Sequence, residues 1–185
     1  MSVNQHGFSL VEVLIAMTIG SVLLLTTARF LPALQMAATR QTQRQVMEEE
    51  AWQRLLTVSR HIQRAGFCRG DCPGDGITLE HQCVLVRWDG NLNGVWEETP
   101  PANADSTGFR LSAGVLETLR GATTCAGKGW EKMTDPDFII VDAFKVLRAN
   151  RAGFAPEFEL SLTVHLKSRP GVQVTTVYSV TGHNL

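Results

Sequence analysis

No charge of either sign predominates in this sequence of 185 residues: 17 lysines and arginines stand against 18 aspartates and glutamates, a formal charge of −1. The balance argues against a strongly basic nucleic-acid binder and against an acidic tail. Catalytic signatures are missing too. There is no G-x-S-x-G, no H-E-x-x-H, no phosphate-binding glycine loop and no C-x-x-C, the short patterns that place a nucleophile, a zinc ion, a nucleotide or a redox pair. The five histidines, His6, His61, His81, His165 and His183, are scattered. His165 falls on the polar phase of a strand and is expected to be solvated. His61, beside Ile62, is expected to pack rather than to act as a base. The chain is therefore read as non-enzymatic. Its 44% hydrophobic and 19% charged residues exclude a disordered or collagenous chain. A mean hydropathy of −0.01 excludes a polytopic membrane protein, but an average conceals where the apolar residues sit.

They are concentrated at the amino terminus. Phe8 to Ala28 reads FSLVEVLIAMTIGSVLLLTTA and holds one charge, Glu12. As a helix these residues span about 32 Å at 1.5 Å per residue, the thickness of a hydrocarbon core of about 30 Å. A secretory signal would need a basic start and a shorter apolar core. Residues 1–7, MSVNQHG, carry no Lys or Arg, although Thr26-Thr27-Ala28 offers a small-residue cleavage site. A carboxylate within a bilayer span costs about 2.5–3.5 kcal/mol on insertion scales and persists only with a partner or a role.

The junction Gly7-Phe8-Ser9-Leu10-Val11-Glu12, followed by Val13-Leu14-Ile15-Ala16-Met17, resembles the class III signal of type IV pilins and type II secretion pseudopilins. The resemblance implies a leader of residues 1–7 removed by a prepilin peptidase after Gly7. It implies a new, N-methylated amino terminus at Phe8, and a Glu12 that pairs with the amine of a neighbouring subunit during assembly. It also implies a single-pass inner-membrane protein with a periplasmic C-terminal domain, incorporated into a pilus or pseudopilus. The partners implied are other minor pilins or pseudopilins and the inner-membrane assembly platform. The leader departs from the family pattern in lacking a basic residue.

Beyond the span at 8–28, residues 29–66 read as an amphipathic helix entering the globular part. Pro32 removes a backbone donor and is expected to kink it. No Gly or Pro occurs from Ala33 to Arg64, and Trp52, Leu55, Val58, Ser59 and Ile62 recur at spacings of 3 and 4 as one apolar stripe. Glu50 and Arg54 form a favourable i,i+4 pair.

Residues 67–185 have strand texture. Expected strands are 83–88, 109–111 with 115–120 as a hairpin, 137–147, 157–167 and 172–181. One face of a single antiparallel sheet is expected to cover the helical stripe, and the other to meet solvent. The fold class is thus α+β and pilin-like. Size, the four cysteines and the closing TyrSerValThrGly (178–182) resemble the prepilin peptidase-dependent proteins of enterobacteria, which are similar to J-type pseudopilins and W-type minor pilins.

Cys68, Cys72, Cys83 and Cys125 permit three disulfide connectivities in an oxidising compartment. A local Cys68–Cys72 ring with Cys83–Cys125 is favoured, with Cys68–Cys83 and Cys72–Cys125 as the rival. A zinc site is the alternative for the same residues. Arg69-Gly70-Asp71, between the first two cysteines, spells an adhesive tripeptide, and nothing is drawn from three residues alone. The run from Asp89 to Glu97 opens like a calcium loop, D-x-N-x-N-G, with Asp89, Asn91, Asn93, the Val95 carbonyl and Glu97 as oxygen ligands. Its twelfth position is Pro100 rather than a bidentate Glu. The competing reading is a β-hairpin turn at Asn93-Gly94.

The implied role is assembly: a minor subunit that helps initiate polymerisation. A tip adhesin or DNA-uptake pilin is the rival; for DNA it would rest on Arg148, Arg151, Lys167 and Arg169, and the near-zero charge argues against it. An uncleaved, membrane-anchored periplasmic domain is the other rival.

Overall fold

A computed structural model describes residues 7, 9–100 and 103–185. The chain divides into two compact units, one ending at Gln45 and the other running from Val46 to Leu185. Helix α1, Leu10–Arg64, contributes to both. Pro32 lies within it and has no N–H to give the Ala28 carbonyl, yet the helix continues on either side. Gly66, at a φ of +80°, supplies the left-handed residue that ends it.

In the second unit the helix buries Met47, Ala51, Leu55, Val58, Ser59 and Ile62. These residues recur every three or four positions because 3.6 residues make one turn. The stripe differs from the sequence expectation at its start. Trp52 stays 37% exposed and meets Tyr178 edge-on, 5.4 Å between ring centroids, while Met47 and Ala51 take the buried face.

The strands form two antiparallel sheets where the sequence suggested one. The first is a meander of β1 (Ile77–Glu80), β2 (Cys83–Arg87), β3 (Ser106–Ser112), β4 (Val115–Arg120) and β5 (Glu131–Lys132). The second pairs β6 (Ile139–Ala149), β7 (Glu157–Leu166) and β8 (Arg169–Thr181). They meet where the β3–β4 turn touches β6, with Val141 N donating to Gly114 O at 2.8 Å. One core joins the helical stripe to both sheets, with Phe109, Phe144 and Phe158 at most 1% exposed.

In β7, Phe158, Leu160, Leu162, Val164 and Leu166 are buried at alternate positions, as a strand with one covered face requires. β2 behaves differently. Cys83, Val84, Leu85 and Val86 are all buried. Val84 and Val86 enter the main core, while Cys83 and Leu85 join a second cluster with Ala122, Leu119, Cys125 and Trp130. The far face of this sheet is therefore covered here, against the expectation that it meets solvent. The reason is a long-range bond: Cys83 is joined to Cys125 across 42 positions, which pins the segment after β4 over β2.

Candidate functional site

At the amino terminus, Gly7 and Ser9 are exposed; Phe8 and residues 1–6, on which the cleavage and methylation expectations fall, lie outside the described residues. The first helical bond runs from Val13 N to Ser9 O at 3.2 Å. Glu12 thus stands in the first turn, where unsatisfied N–H groups favour a negative charge. Following it comes a helical stretch long and apolar enough to cross a membrane, none of it buried within the protein. Leu10, Met17 and Leu24 are among its exposed side chains. Water would not tolerate so continuous an apolar surface; lipid or packed helices would. The hydroxyls here are already satisfied. Thr18 Oγ1 donates to Ile15 O, Ser21 Oγ to Thr18 O, and Thr26 and Thr27 Oγ1 to Leu23 O, at 2.7–2.9 Å. Back-bonding of this kind removes the desolvation penalty that a free hydroxyl would carry into hydrocarbon.

A second cluster lies between residues 67 and 105. Cys68 is bonded to Cys72, and the two sulfurs lie 3.6 Å from the Gly94 carbonyl oxygen. Asp89, 1% exposed, accepts from Arg69 N at 3.1 Å and Gly94 N at 2.9 Å on Oδ2, and from Asn93 N at 3.1 Å on Oδ1. Asn93 N also donates to Asn91 Oδ1 and Val95 N to Asn93 Oδ1, each at 3.1 Å. Asn91 Nδ2 donates to Glu97 Oε2 at 2.7 Å. Asp105 receives Gly90 N and Glu97 N at 2.9 and 3.1 Å. The five positions read from sequence as calcium ligands therefore share one loop, where the side-chain oxygens of Asp89, Asn91 and Asn93 accept from its backbone and Glu97 accepts from the Asn91 side chain. Among the described residues, no group of three or more His, Cys, Asp or Glu is arranged to hold a metal ion. The loop is not a tight hairpin turn at Asn93-Gly94: it is the long connection between the antiparallel partners β2 and β3, and no strand intervenes between them among the described residues. Buried carboxylates, not strand pairing, fix the turn.

Asp89 makes the loop acid-sensitive. Burial pushes the Asp89 carboxyl up, but N–H groups of Arg69, Gly94 and Asn93 outweigh it and hold the group below its ordinary value. His61 adds a second titration. Its ring meets Trp88 and Phe109 edge-on at 5.2 and 5.0 Å, and its Nδ1 lies 2.8 Å from Thr57 O. Burial lowers its pKa from 6.5; the Thr57 carbonyl opposes this and Arg64 adds to it. An unfolded chain takes up the His61 proton first, so stability is full above pH 6.5 and falls as pH drops towards the lowered value. Asp89 contributes stability above its unfolded value that is lost in stronger acid. We expect stability measured by denaturant unfolding to decline between pH 7 and 5, and His61→Leu to remove most of that decline. An unchanged slope in the variant would locate the titration elsewhere.

Sequence reasoning missed two features. His61, Arg64, Trp88, Asp105 and Arg120 line an open cleft of about 440 Å³, assembled from residues too far apart to be linked by spacing. His165, expected in solvent, lies 2.8 Å from Asp142 Oδ2, and its side chain is 14% exposed. The β6 bulge at Val141/Ala143 interrupts the register there, and no local pattern announces it.

Residues 3–28 match the prokaryotic N-terminal methylation motif. Residues 40–182 match the family model described as prepilin peptidase-dependent protein B. The chain is 52% identical over 187 residues to prepilin peptidase-dependent protein B of Escherichia coli (strain K12), with all of both chains covered. No solved structure matches it. An exposed apolar helix with a carboxylate in its first turn, continuing into a helix packed on antiparallel sheets, agrees with both matches: the chain belongs to the prepilin peptidase-dependent protein B family of pilin-like proteins.

Proposed function

We propose that this chain is a minor subunit that helps initiate assembly of a type IV pilus or type II secretion pseudopilus, and that it carries out no catalysis. It is cleaved after Gly7 by a prepilin peptidase, N-methylated at Phe8, and held in the inner membrane with its C-terminal domain in the periplasm until the assembly platform extracts it with other minor pilins. The observation that carries this reading is the apolar helix left wholly exposed, with Glu12 as the one charge of residues 8–28. Such a surface needs lipid before assembly and neighbouring helices after it. Intact-mass analysis after co-expression with a prepilin peptidase is expected to show loss of residues 1–7 plus one methyl group. Loss of residues 1–28 would support a secretory signal, and an unchanged mass an uncleaved anchor.

The loop at Asp89–Glu97 is proposed as a braced turn that needs no ion. Two carboxylates, Asp89 and Glu97, are too few for tight calcium binding, and Asp89 already holds three backbone donors. Calorimetric titration of the detergent-solubilised protein is expected to give no heat at millimolar calcium. Saturable heat would restore the calcium reading.

A further inference from the structure

We propose that the cavity enclosed by Asp71, Pro73, the Val95–Glu98 stretch and the start of β3 is a binding site for a primary ammonium group at the end of an alkyl chain. Its volume is about 190 Å³, which admits the end of a chain rather than a whole ligand of ordinary size. Four carboxylates line it, those of Asp71, Glu97, Glu98 and Asp105, against one guanidinium, that of Arg87. The charge of the lining therefore calls for a cation.

Acidic residues alone make no site; the inner wall of this cavity adds a second observation. Ser106 is 2% exposed, and its Oγ has no hydrogen-bond partner. A buried hydroxyl left unpaired costs stability, and an ordinary acidic surface gives no reason to strand one. Ser106 stands opposite Arg87 in the β2–β3 register, so the two side chains leave the sheet on one face. Both line the cavity. The hydroxyl is thus aimed at the space that the carboxylates surround, and a donor entering from the mouth would satisfy it.

The acceptors around it are unequally used. Asp105 holds Gly90 N on Oδ1 and Glu97 N on Oδ2, at 2.9 and 3.1 Å. Glu98 Oε1 lies 3.6 Å from Arg87 Nη2. Glu97 accepts the Asn91 amide on Oε2. Among the described residues, Glu97 Oε1 and the exposed Asp71 carboxylate have no partner. Asp71, Glu97 and Ser106 thus offer acceptors from three chain segments. An ammonium carries three donors on one compact centre and suits acceptors spread around a point. A guanidinium would spend its planar fork on one carboxylate and leave Ser106 unpaired. A divalent cation does not fit, because among the described residues no three such acids are arranged to hold one. Trp96, its Nε1 donating to Phe67 O at 3.3 Å, adds an aromatic ring to the wall, a surface that attracts cations. The cavity belongs to the second unit, so the proposal does not rest on the assembly reading.

The test is calorimetric titration of the full chain in detergent micelles at low ionic strength, with two amines. One is N-acetyl-lysine N-methylamide, which stands for a lysine side chain of a partner protein; the other is putrescine, a free diamine. Saturable heat is expected, and tighter binding of the first assigns the site to a protein lysine, of the second to a free amine. The lysine derivative acetylated on its side chain has lost the charge and is expected to bind at least about tenfold more weakly. Ser106→Ala is expected to weaken ammonium binding about fivefold or more without lowering the melting temperature, because it removes a hydroxyl that the folded chain leaves unpaired. Asp71→Asn, at an exposed position, is expected to weaken binding to a similar degree with folding unchanged. Absence of saturable heat with either amine would overturn the proposal. So would undiminished affinity in both variants, or equal binding of the acetylated derivative.

Discussion

Replacing Glu12 by Val is expected to leave a protein that is processed normally and assembles at least about tenfold less. The reason lies in what the carboxylate does in each state. Within the bilayer it is a liability of about 2.5–3.5 kcal/mol, so the variant should sit more comfortably in the membrane. On the proposed assembly role, the amine of a neighbouring subunit would give it a partner in a filament, and at 4 Å with an effective dielectric of 20 the attraction would be about 4 kcal/mol before desolvation. Valine removes both the reason to leave the lipid and the reward for docking. Glu12→Gln, which keeps the size and loses the charge, should resemble the Val variant. Processing is read by intact mass, and assembly by the amount recovered in sheared filaments relative to membranes. Unchanged recovery would sink the pairing model while leaving the cleavage proposal intact.

Removing the Cys83–Cys125 bond by a Cys83→Ala, Cys125→Ala double substitution is expected to cost the folded unit about 4 kcal/mol. The chain-entropy relation gives about that for a separation of 42, against about 2 kcal/mol for the Cys68–Cys72 separation of 4. At this size the larger loss corresponds to about 10–15 °C in melting temperature. The structure adds a reason for the asymmetry. Cys83 and Cys125 belong to the second hydrophobic cluster with Leu85, Ala122, Leu119 and Trp130, so without the bond the cover over β2 is held by a small patch alone. Thermal unfolding in detergent, followed by circular dichroism, reads both variants. A larger loss from the small ring than from the long-range bond would reverse this account.

The parts legible in the sequence were those in which one residue's neighbours determine its state. Alternation from Phe158 to Leu166 follows from one covered face, and the β3–β4 hairpin follows from Ala113-Gly114. The membrane-length helix and its lone Glu12 needed nothing beyond composition. What was not legible depends on distant contacts. Two sheets rather than one result from where β6 meets the β3–β4 turn. The four consecutive buried residues of β2 depend on a cysteine 42 positions away. In the helical stripe Ala51 reads equally well as surface because its side chain is small, whereas the bulk of Trp52 reads as core. At the candidate site, the spacing Asp89-Asn91-Asn93 located the loop but not its logic. Arg69 and Asp105, which complete that network, come from either side of it in sequence.

The back-bonded hydroxyls of the membrane-length stretch have one more consequence. Thr18, Ser21, Thr26 and Thr27 spend their hydrogens on their own helix, so they offer a neighbour little reason to prefer one rotational setting over another. Glu12 is then a mark at one height on an otherwise smooth rod. A neighbouring helix sliding past by one turn, about 5.4 Å, meets the same apolar texture but misses the mark. What such a surface encodes is one axial height and the one side from which Glu12 projects, so subunits of different sequence could be stacked by the same measure.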